Sequence, residues 1–278
     1  MLDKIIEKSP AKINLFLKII NKREDGFHNI RTGITFIDLY DEVIVKPHNK
    51  FAVEYVGPFA PNKKTFDDCI IKKLFTYLNI DAPKLLFTIS KNFPYQAGLG
   101  SASSNAATVI KILENLELIV KKNIFEYVNL GADIPVFLHQ KDALIRGKGE
   151  LISNILYPKY YFLIIKPTFT CSTKLMYDSF QQSDYDFNVD LDLEEINDQD
   201  SGNDFEKLLN NIEPQFSHIM NYLNNIDQVI FSRLTGSGSC IFSAFQKKSE
   251  AEKAQIQFNK DFPNLWSHLA ENNLTNLF

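Results

Sequence analysis

Ile13, Leu15, Leu17 and Ile19 alternate with other residues between Lys12 and Ile20, a pattern that predicts a strand with one face turned to a core. Thr32 to Asp38 and Glu42 to Lys46 predict two further strands, so the chain opens on sheet. Between the first two runs the polar segment Asn21 to His28, whose Asp25-Gly26 pair supplies turn chemistry and which carries an aromatic ring and a histidine. From Asp67 to Leu78, Ile70, Ile71, Leu74, Phe75 and Leu78 recur at helical spacing with lysines between them, predicting an amphipathic helix. Leu85 to Ser90 predicts a buried strand. After it come a glycine-serine run and then Asn105 to Leu113, whose helix formers and apolar stripe predict a helix.

Tyr160 to Ile165, ahead of Lys166-Pro167, reads as a central buried strand. A lobe boundary is expected near residues 154 to 160. Composition turns acidic and polar from Gln181 to Asp204, predicting a mobile, solvated loop. A helix from Phe205 and a strand-turn-strand around Arg233 to Phe242 complete a second lobe, and no internal repeat is present. The alternation of strands and helices gives an α/β (α+β) class with two lobes around a cleft.

A length of 278 residues with 45% hydrophobic content allows one large domain or two closely packed ones. The net charge of -4, with no basic block, argues against a nucleic-acid binder that relies on a phosphate-neutralising surface. Cys69, Cys171 and Cys240 lie too far apart for a CxxC pair or a disulfide framework, which fits a reducing, cytoplasmic setting. Met1 to Pro10 interleaves charged with apolar residues and lacks the apolar run of a signal peptide. No stretch reaches the length of a membrane helix, so the expectation is a soluble, unprocessed protein.

Candidate chemistry concentrates at Gly98-Leu99-Gly100-Ser101-Ala102-Ser103-Ser104. A glycine loop that feeds a helix leaves several N–H groups unpaired and aimed at one spot, where the helix dipole adds partial positive charge. Ser101, Ser103, Ser104 and Asn105 add side-chain donors, although a plain turn uses the same residue types. The dinucleotide motif G-x-G-x-x-G/A fails at Ser103, and the P-loop fails for want of Gly-Lys-Ser/Thr.

The run Pro94-Tyr95-Gln96-Ala97-Gly98-Leu99-Gly100-Ser101-Ala102-Ser103-Ser104-Asn105-Ala106-Ala107 resembles the ATP loop of the GHMP kinases, named for galactose, homoserine, mevalonate and phosphomevalonate kinases. Ser9-Pro10-Ala11-Lys12-Ile13-Asn14, Arg23-Glu24-Asp25-Gly26-Phe27-His28, Leu130-Gly131-Ala132-Asp133-Ile134-Pro135, Gly147-Lys148-Gly149-Glu150 and Gly202-Asn203-Asp204-Phe205-Glu206 resemble, in matching order, the 4-diphosphocytidyl-2-C-methyl-D-erythritol kinase family. The resemblance implies a two-lobe GHMP kinase fold: an N-terminal ATP-binding domain over residues 1–155, similar to the ribosomal protein S5 domain 2-like fold, a ferredoxin-like C-terminal domain over residues 156–278, and an active site in the cleft. It implies ATP with Mg2+, and as partner a small cytidine diphosphate-linked polyol, with neither nucleic acid nor membrane.

By the same resemblance Asp133 is the base and Lys12 the group that holds it and stabilises developing charge. ATP falls to Pro94, Gly98, Leu99, Gly100, Ser101, Ala102, Ser103, Ser104 and Asn105; the substrate falls to Asn14, Phe27, His28, Thr173, Tyr177, Gly236 and Ser237. No metal-ligand spacing is present. Each residue also has a plainer reading: Lys12 as a solvated lysine, Asp133 as a helix cap before Pro135, Phe27 and Tyr177 as core rings, Gly236-Ser237-Gly238 as a hairpin turn. Family members usually carry Tyr at Phe27, Gly-Gly at Ser101-Ala102 and, in many, Asn at Asp68, and the stretch Leu116 to Asn129 is shorter than usual. His48, His139, His218 and His268 show no partner pattern. Another GHMP kinase, a non-catalytic ligand-binding protein of the same fold, and a nucleotide-binding module without transfer remain as alternatives.

Overall fold

The computed structural model describes residues 3–61, 69–180, 190, 192–196 and 200–272. The first lobe is built on two long strands, β1 (Ile5–Lys22) and β2 (His28–Pro47), paired antiparallel from Ile5↔Val45 to Lys22↔His28. The two strands expected at residues 32–38 and 42–46 are one. Where the pattern falters the register steps from Pro10↔Tyr40 to Ala11↔Ile37, so Asp38 and Leu39 form a bulge that keeps the strand continuous. β3 (Ala52–Val56) runs parallel to β4 (Leu85–Ser90), and the crossover carries α1 (Ile70–Leu78). β4 pairs with one end of β2, β5 (Ala143–Gly147) with the other, and β6 (Leu151–Asn154) closes the edge. α2 (Ser101–Asn115) and α3 (Ile134–His139) supply Val109, Ile110, Leu113 and Phe137 to a core shared with Val43, Phe87 and Ile89.

The second lobe is an antiparallel sheet of β7 (Tyr161–Lys166), β8 (Phe231–Leu234), β9 (Ile241–Phe245) and β10 (Trp266–Glu271) in the order β10-β7-β9-β8. This is the order of a β-α-β-β-α-β ferredoxin-like lobe. α4 (Thr173–Asp178), α5 (Phe205–Ile212) and α6 (Pro214–Asn224) lie between β7 and β8, and α7 (Lys248–Asp261) between β9 and β10. β1 belongs to both lobes: Ile13 and Leu15 share a core with Phe162 and Phe242, while Leu17 and Ile19 pack with Phe205 and Leu234. Among the described residues no helix is long and apolar enough to cross a membrane.

The described residues of the acidic stretch are tied down, correcting the expectation of a mobile solvated loop. Arg31, fully buried on β2, donates from Nε and Nη2 to Asp200 at 2.7 and 2.9 Å and from Nη1 to the Asp190 carbonyl at 3.4 Å, and it also holds the carbonyls of Leu193 and Glu195. Its register neighbour Arg146 reaches the Asp192 carbonyl at 3.1 Å and Glu194 at 3.2 Å. Two guanidiniums buried on a sheet need anionic or carbonyl partners, and the acidic residues supply them. Residues 181–189, 191 and 197–199, and Asp68, where a departure from the family pattern was noted, lie outside the described residues.

Candidate active site

A cavity of about 960 Å³ opens between the lobes and gathers most of the expected residues: Lys12, Asn14, Phe27, His28, Gly98, Gly100, Ser101, Ala102, Ser103, Asp133, Thr173, Tyr177, Gly236 and Ser237 all line it. Pro94, Leu99, Ser104 and Asn105 do not.

Lys12 sits in the middle of β1, 3% exposed, with Nζ 3.5 Å from Asp133 Oδ2 and hydrogen-bonded to Asn14 Oδ1. Asp133 stands at the N-cap position of α3, yet its side chain makes no cap bond; it is 37% exposed and faces the ammonium. Both residues therefore depart from their plainer readings. Cys171 also lines the cavity, and burial pushes its thiol up to about 11, which keeps it protonated at neutral pH.

The glycine loop is clamped from two sides. Gly98 (φ 77°) and Gly100 (φ 75°) occupy the left-handed region, where a Cβ on the first would fall 2.0 Å from the Thr235 carbonyl and on the second 2.6 Å from the Phe137 ring. Thr235 Oγ1 donates to the Gly98 carbonyl at 3.1 Å, and Lys12 N donates to the Leu99 carbonyl at 3.1 Å. Gly100 caps α2, so the helix starts at Ser101 and not at Asn105. The N–H groups of Ser101, Ala102 and Ser103 then have no partner within the helix, and those residues line the cavity.

Three of the side chains expected here, those of Ser101, Ser104 and Asn105, are bonded beneath the helix start. Ser104 Oγ bonds Pro10 O at 2.7 Å and Ser9 Oγ at 2.8 Å, and Asn105 Nδ2 donates to Ser9 Oγ at 2.8 Å and to Asp41 at 3.1 Å. Lys91, 3% exposed, pairs with Asp41 and with Ser101 Oγ and donates to Asn105 Oδ1 at 2.9 Å. Burial lowers the Lys91 ammonium pKa, and Asp41 opposes that shift. This network under the start of α2 leaves the Ser103 hydroxyl as the serine side chain on the cavity side. Sequence reasoning missed Lys91 and Asp41, because two charged residues fifty positions apart carry no spacing signal.

At the other end Phe27 is 47% exposed, with Lys148 Nζ 4.9 Å from its ring centre. Asp25 holds that lysine at 3.6 Å and Arg23 at 3.2 Å, and its Oδ1 accepts the Phe27 N–H at 3.2 Å. His28 lies against Tyr177, ring centres 5.0 Å apart, and burial lowers its pKa. Tyr177 also packs edge-on to Phe205 at 4.9 Å, so the core reading holds for one side of its ring. Asn14 Nδ2 donates to Thr32 Oγ1 at 2.8 Å while its Oδ1 takes Lys12, which makes the amide a holder of the lysine. Thr173 Oγ1 lies 2.8 Å from Ser237 Oγ, a hydrogen bond within the second lobe. Lys148 and Lys174 are lining cations that had no assigned role. The four histidines without a pattern have ordinary neighbours: His48 bonds the Lys50 carbonyl at 2.8 Å, His139 bonds Asn154 at 2.6 Å, and His218 and His268 pack on Phe262 and Trp266.

The family models described as GHMP kinases N terminal domain and GHMP kinases C terminal match residues 68–141 and 189–264. A solved structure of 4-(cytidine 5'-diphospho)-2C-methyl-D-erythritol kinase superposes with a TM-score of 0.77 at 23% identity, covering 97% of this chain and 100% of that one. A 4-diphosphocytidyl-2-C-methyl-D-erythritol kinase of Pelagibacter ubique is 31% identical over 271 residues, 93% of this chain and 95% of the relative. The enzyme of the same name from Francisella tularensis subsp. holarctica is 34% identical over 258 residues, 91% of each. At that identity and coverage, the chain belongs to the 4-diphosphocytidyl-2-C-methyl-D-erythritol kinase family of the GHMP kinases.

Proposed function

We propose that the chain transfers the γ-phosphoryl group of ATP to the 2-hydroxyl of 4-diphosphocytidyl-2-C-methyl-D-erythritol, a step in the non-mevalonate route to isoprenoid precursors. The observation that carries this reading is the Lys12–Asp133 pair, 3.5 Å apart, lying between a main-chain anion site and a ring-lined recess in one cavity. The triphosphate rests on the N–H groups of Ser101, Ala102 and Ser103, drawn by the partial charge at the start of α2. Phe27 and Tyr177 stack on the cytosine and His28 reads its edge, directing the polyol at Lys12 and Asp133. Asp133 accepts the hydroxyl proton as the oxygen attacks the γ-phosphorus and the bond to the β–γ bridging oxygen breaks. Lys12 stabilises the charge spreading onto the phosphoryl oxygens, and Asn14 keeps it there. Most of the acceleration in such a site is positioning and electrostatics.

Mg2+ accompanies the nucleotide in this reading. It retains several waters and takes few protein ligands, and in this cavity the Ser103 hydroxyl would hold it beside the phosphates. Among the described residues no cluster of three or more His, Cys, Asp or Glu side chains could hold a metal unaided. Bound with ATP it would neutralise charge on the β- and γ-phosphates. Residues 1–155 act as the ATP-binding domain and 156–278 as the C-terminal domain of a cytoplasmic enzyme.

A coupled ADP-release assay with ATP and Mg2+ tests the proposal on three alcohols: 4-diphosphocytidyl-methylerythritol, homoserine and mevalonate. Turnover with the cytidine compound alone is expected. Turnover with homoserine or mevalonate instead would reassign the substrate, and none with any would leave a non-catalytic binding protein.

A further inference from the structure

The segment Gly202-Asn203-Asp204-Phe205-Glu206 does not line the active-site cavity, yet it is threaded between two elements that carry the site. Gly202 O accepts the Leu17 N–H at 3.1 Å and Asp204 N donates to Leu17 O at 3.0 Å, fastening the segment to β1. The Asp204 carboxylate takes the Ile19 N–H at 2.7 Å and Lys18 at 3.1 Å, while Glu206 Oε1 takes the Leu234 N–H at 2.8 Å. Asn203, 4% exposed, donates from Nδ2 to the carbonyls of Leu234 at 2.9 Å and Gly236 at 2.8 Å, and its Oδ1 accepts the Phe205 N–H at 3.0 Å. With these partners on both ends of the amide, its orientation is fixed.

The Gly236–Ser237 peptide is trans, so a carbonyl turned to Asn203 sends the Ser237 N–H the opposite way. Gly236 and Ser237 line the cavity and Asn203 does not, so that opposite side is the cavity. A Cβ on Gly236 would lie 3.3 Å from Lys12 Nζ, which puts this peptide beside the reacting groups. Among the described residues the Ser237 N–H donates to no acceptor. Gly236 and Gly238 make rotation of the intervening peptides easy, and a rotated peptide would point an oxygen at the phosphates.

We propose that Asn203 is a positioning residue: by holding the Gly236 carbonyl it aims the Ser237 N–H at the phosphoryl group in transfer, adding an anion donor from the second lobe opposite those of α2. The proposal rests on the kinase reading above. Ser237→Pro removes the N–H, Asn203→Ser removes its support, and the pair forms a double-mutant cycle. Each single change is expected to lower kcat about 100-fold, the scale of one lost anion-hole donor, with KM for the cytidine substrate within about threefold. The double variant should be no slower than the slower single. Losses that multiply, or an unchanged kcat in the Asn203 variant, would overturn the proposal. If Asn203→Ser does not fold, Asn203→Asp keeps the Phe205 contact and takes its place. A readout independent of turnover is the 15N amide resonance of Ser237: AMP-PNP with Mg2+ should shift it in the unmodified protein and leave it unmoved in the Asn203 variant. A wild-type protein without turnover would sink the kinase reading while the resonance still decides the role of Asn203; no shift in the unmodified protein would sink the latter.

Discussion

In the proposed reading the phosphate end of the cavity is formed by main-chain N–H groups clamped between Thr235, Phe137 and the Lys91–Asp41 network, and the base end by side chains on the Arg23–His28 loop and on α4. Phosphate looks the same in every nucleotide, so a rigid backbone cradle suits it, and rigidity there comes from burying charge beneath the helix start. A base has edges and faces that differ from ligand to ligand. In the same reading it meets rings that can be replaced one at a time, with Phe27 47% exposed and backed by Lys148. The Lys12–Asp133 pair lies where the two designs meet.

The largest effect expected is on the meeting point. Asp133→Asn keeps the shape and removes the proton acceptor, so kcat should fall about 1000-fold while the dissociation constant of ATP stays within about twofold. Single-turnover kinetics beside calorimetric ATP titration would check it, and a residual rate within tenfold of the original would remove Asp133 from its role.

Next in size is an attack on the phosphate end through its support. Lys91→Met leaves the Asp41 carboxylate buried without its cation, at a cost of roughly 3 to 5 kcal/mol. Denaturant melts should register that loss, together with weaker ATP binding. A variant as stable as the original would mean that the network does not brace the cradle. By contrast, Phe27→Ala should leave stability nearly unchanged. Losing one stacked ring, worth about 1 to 3 kcal/mol, should raise KM for the cytidine substrate about 5- to 150-fold without moving KM for ATP. A rise in both constants would break the division between the two ends.

The same division decides what the sequence made legible. Period-two and helical patterns locate β1, β4, β7 and α1, and the glycine loop announces itself because a backbone cradle needs residues of one kind in one short run. What supports the cradle is not legible, since Ser9 on β1, Asp41 on β2, Lys91 after β4 and Asn105 on α2 meet only once all four elements have packed. β2 reads in the sequence as two strands, Thr32 to Asp38 and Glu42 to Lys46, because Asp41, fully buried in an ion pair, interrupts the apolar pattern between them. The acidic stretch reads as solvated chain because Arg31, the partner of Asp200, is an interior charge that periodicity treats as a surface residue. The resemblance gives Asn14 to the base, and its Oδ1 also takes the Lys12 ammonium.

The smallest effect expected is that of pH on the base end. Burial lowers the His28 pKa, with Lys22 adding to the shift and Asp178 opposing it, so the folded protein keeps this ring neutral below the ordinary histidine range. Its contribution to stability is therefore fully present above the unfolded value of about 6.5 and is lost as pH falls from there through the lowered folded value. Because His28 packs against Tyr177, protonation also puts a charge beside the stacking recess. KM for the cytidine substrate should stay level from about pH 8 to 6.5 and climb only below that, while KM for ATP, held at the far end of the cavity, should not follow. His28→Gln, which cannot take up the proton, should flatten the acid limb of the first curve. An acid limb that persists in that variant would place the titrating group elsewhere and remove the histidine from the base end.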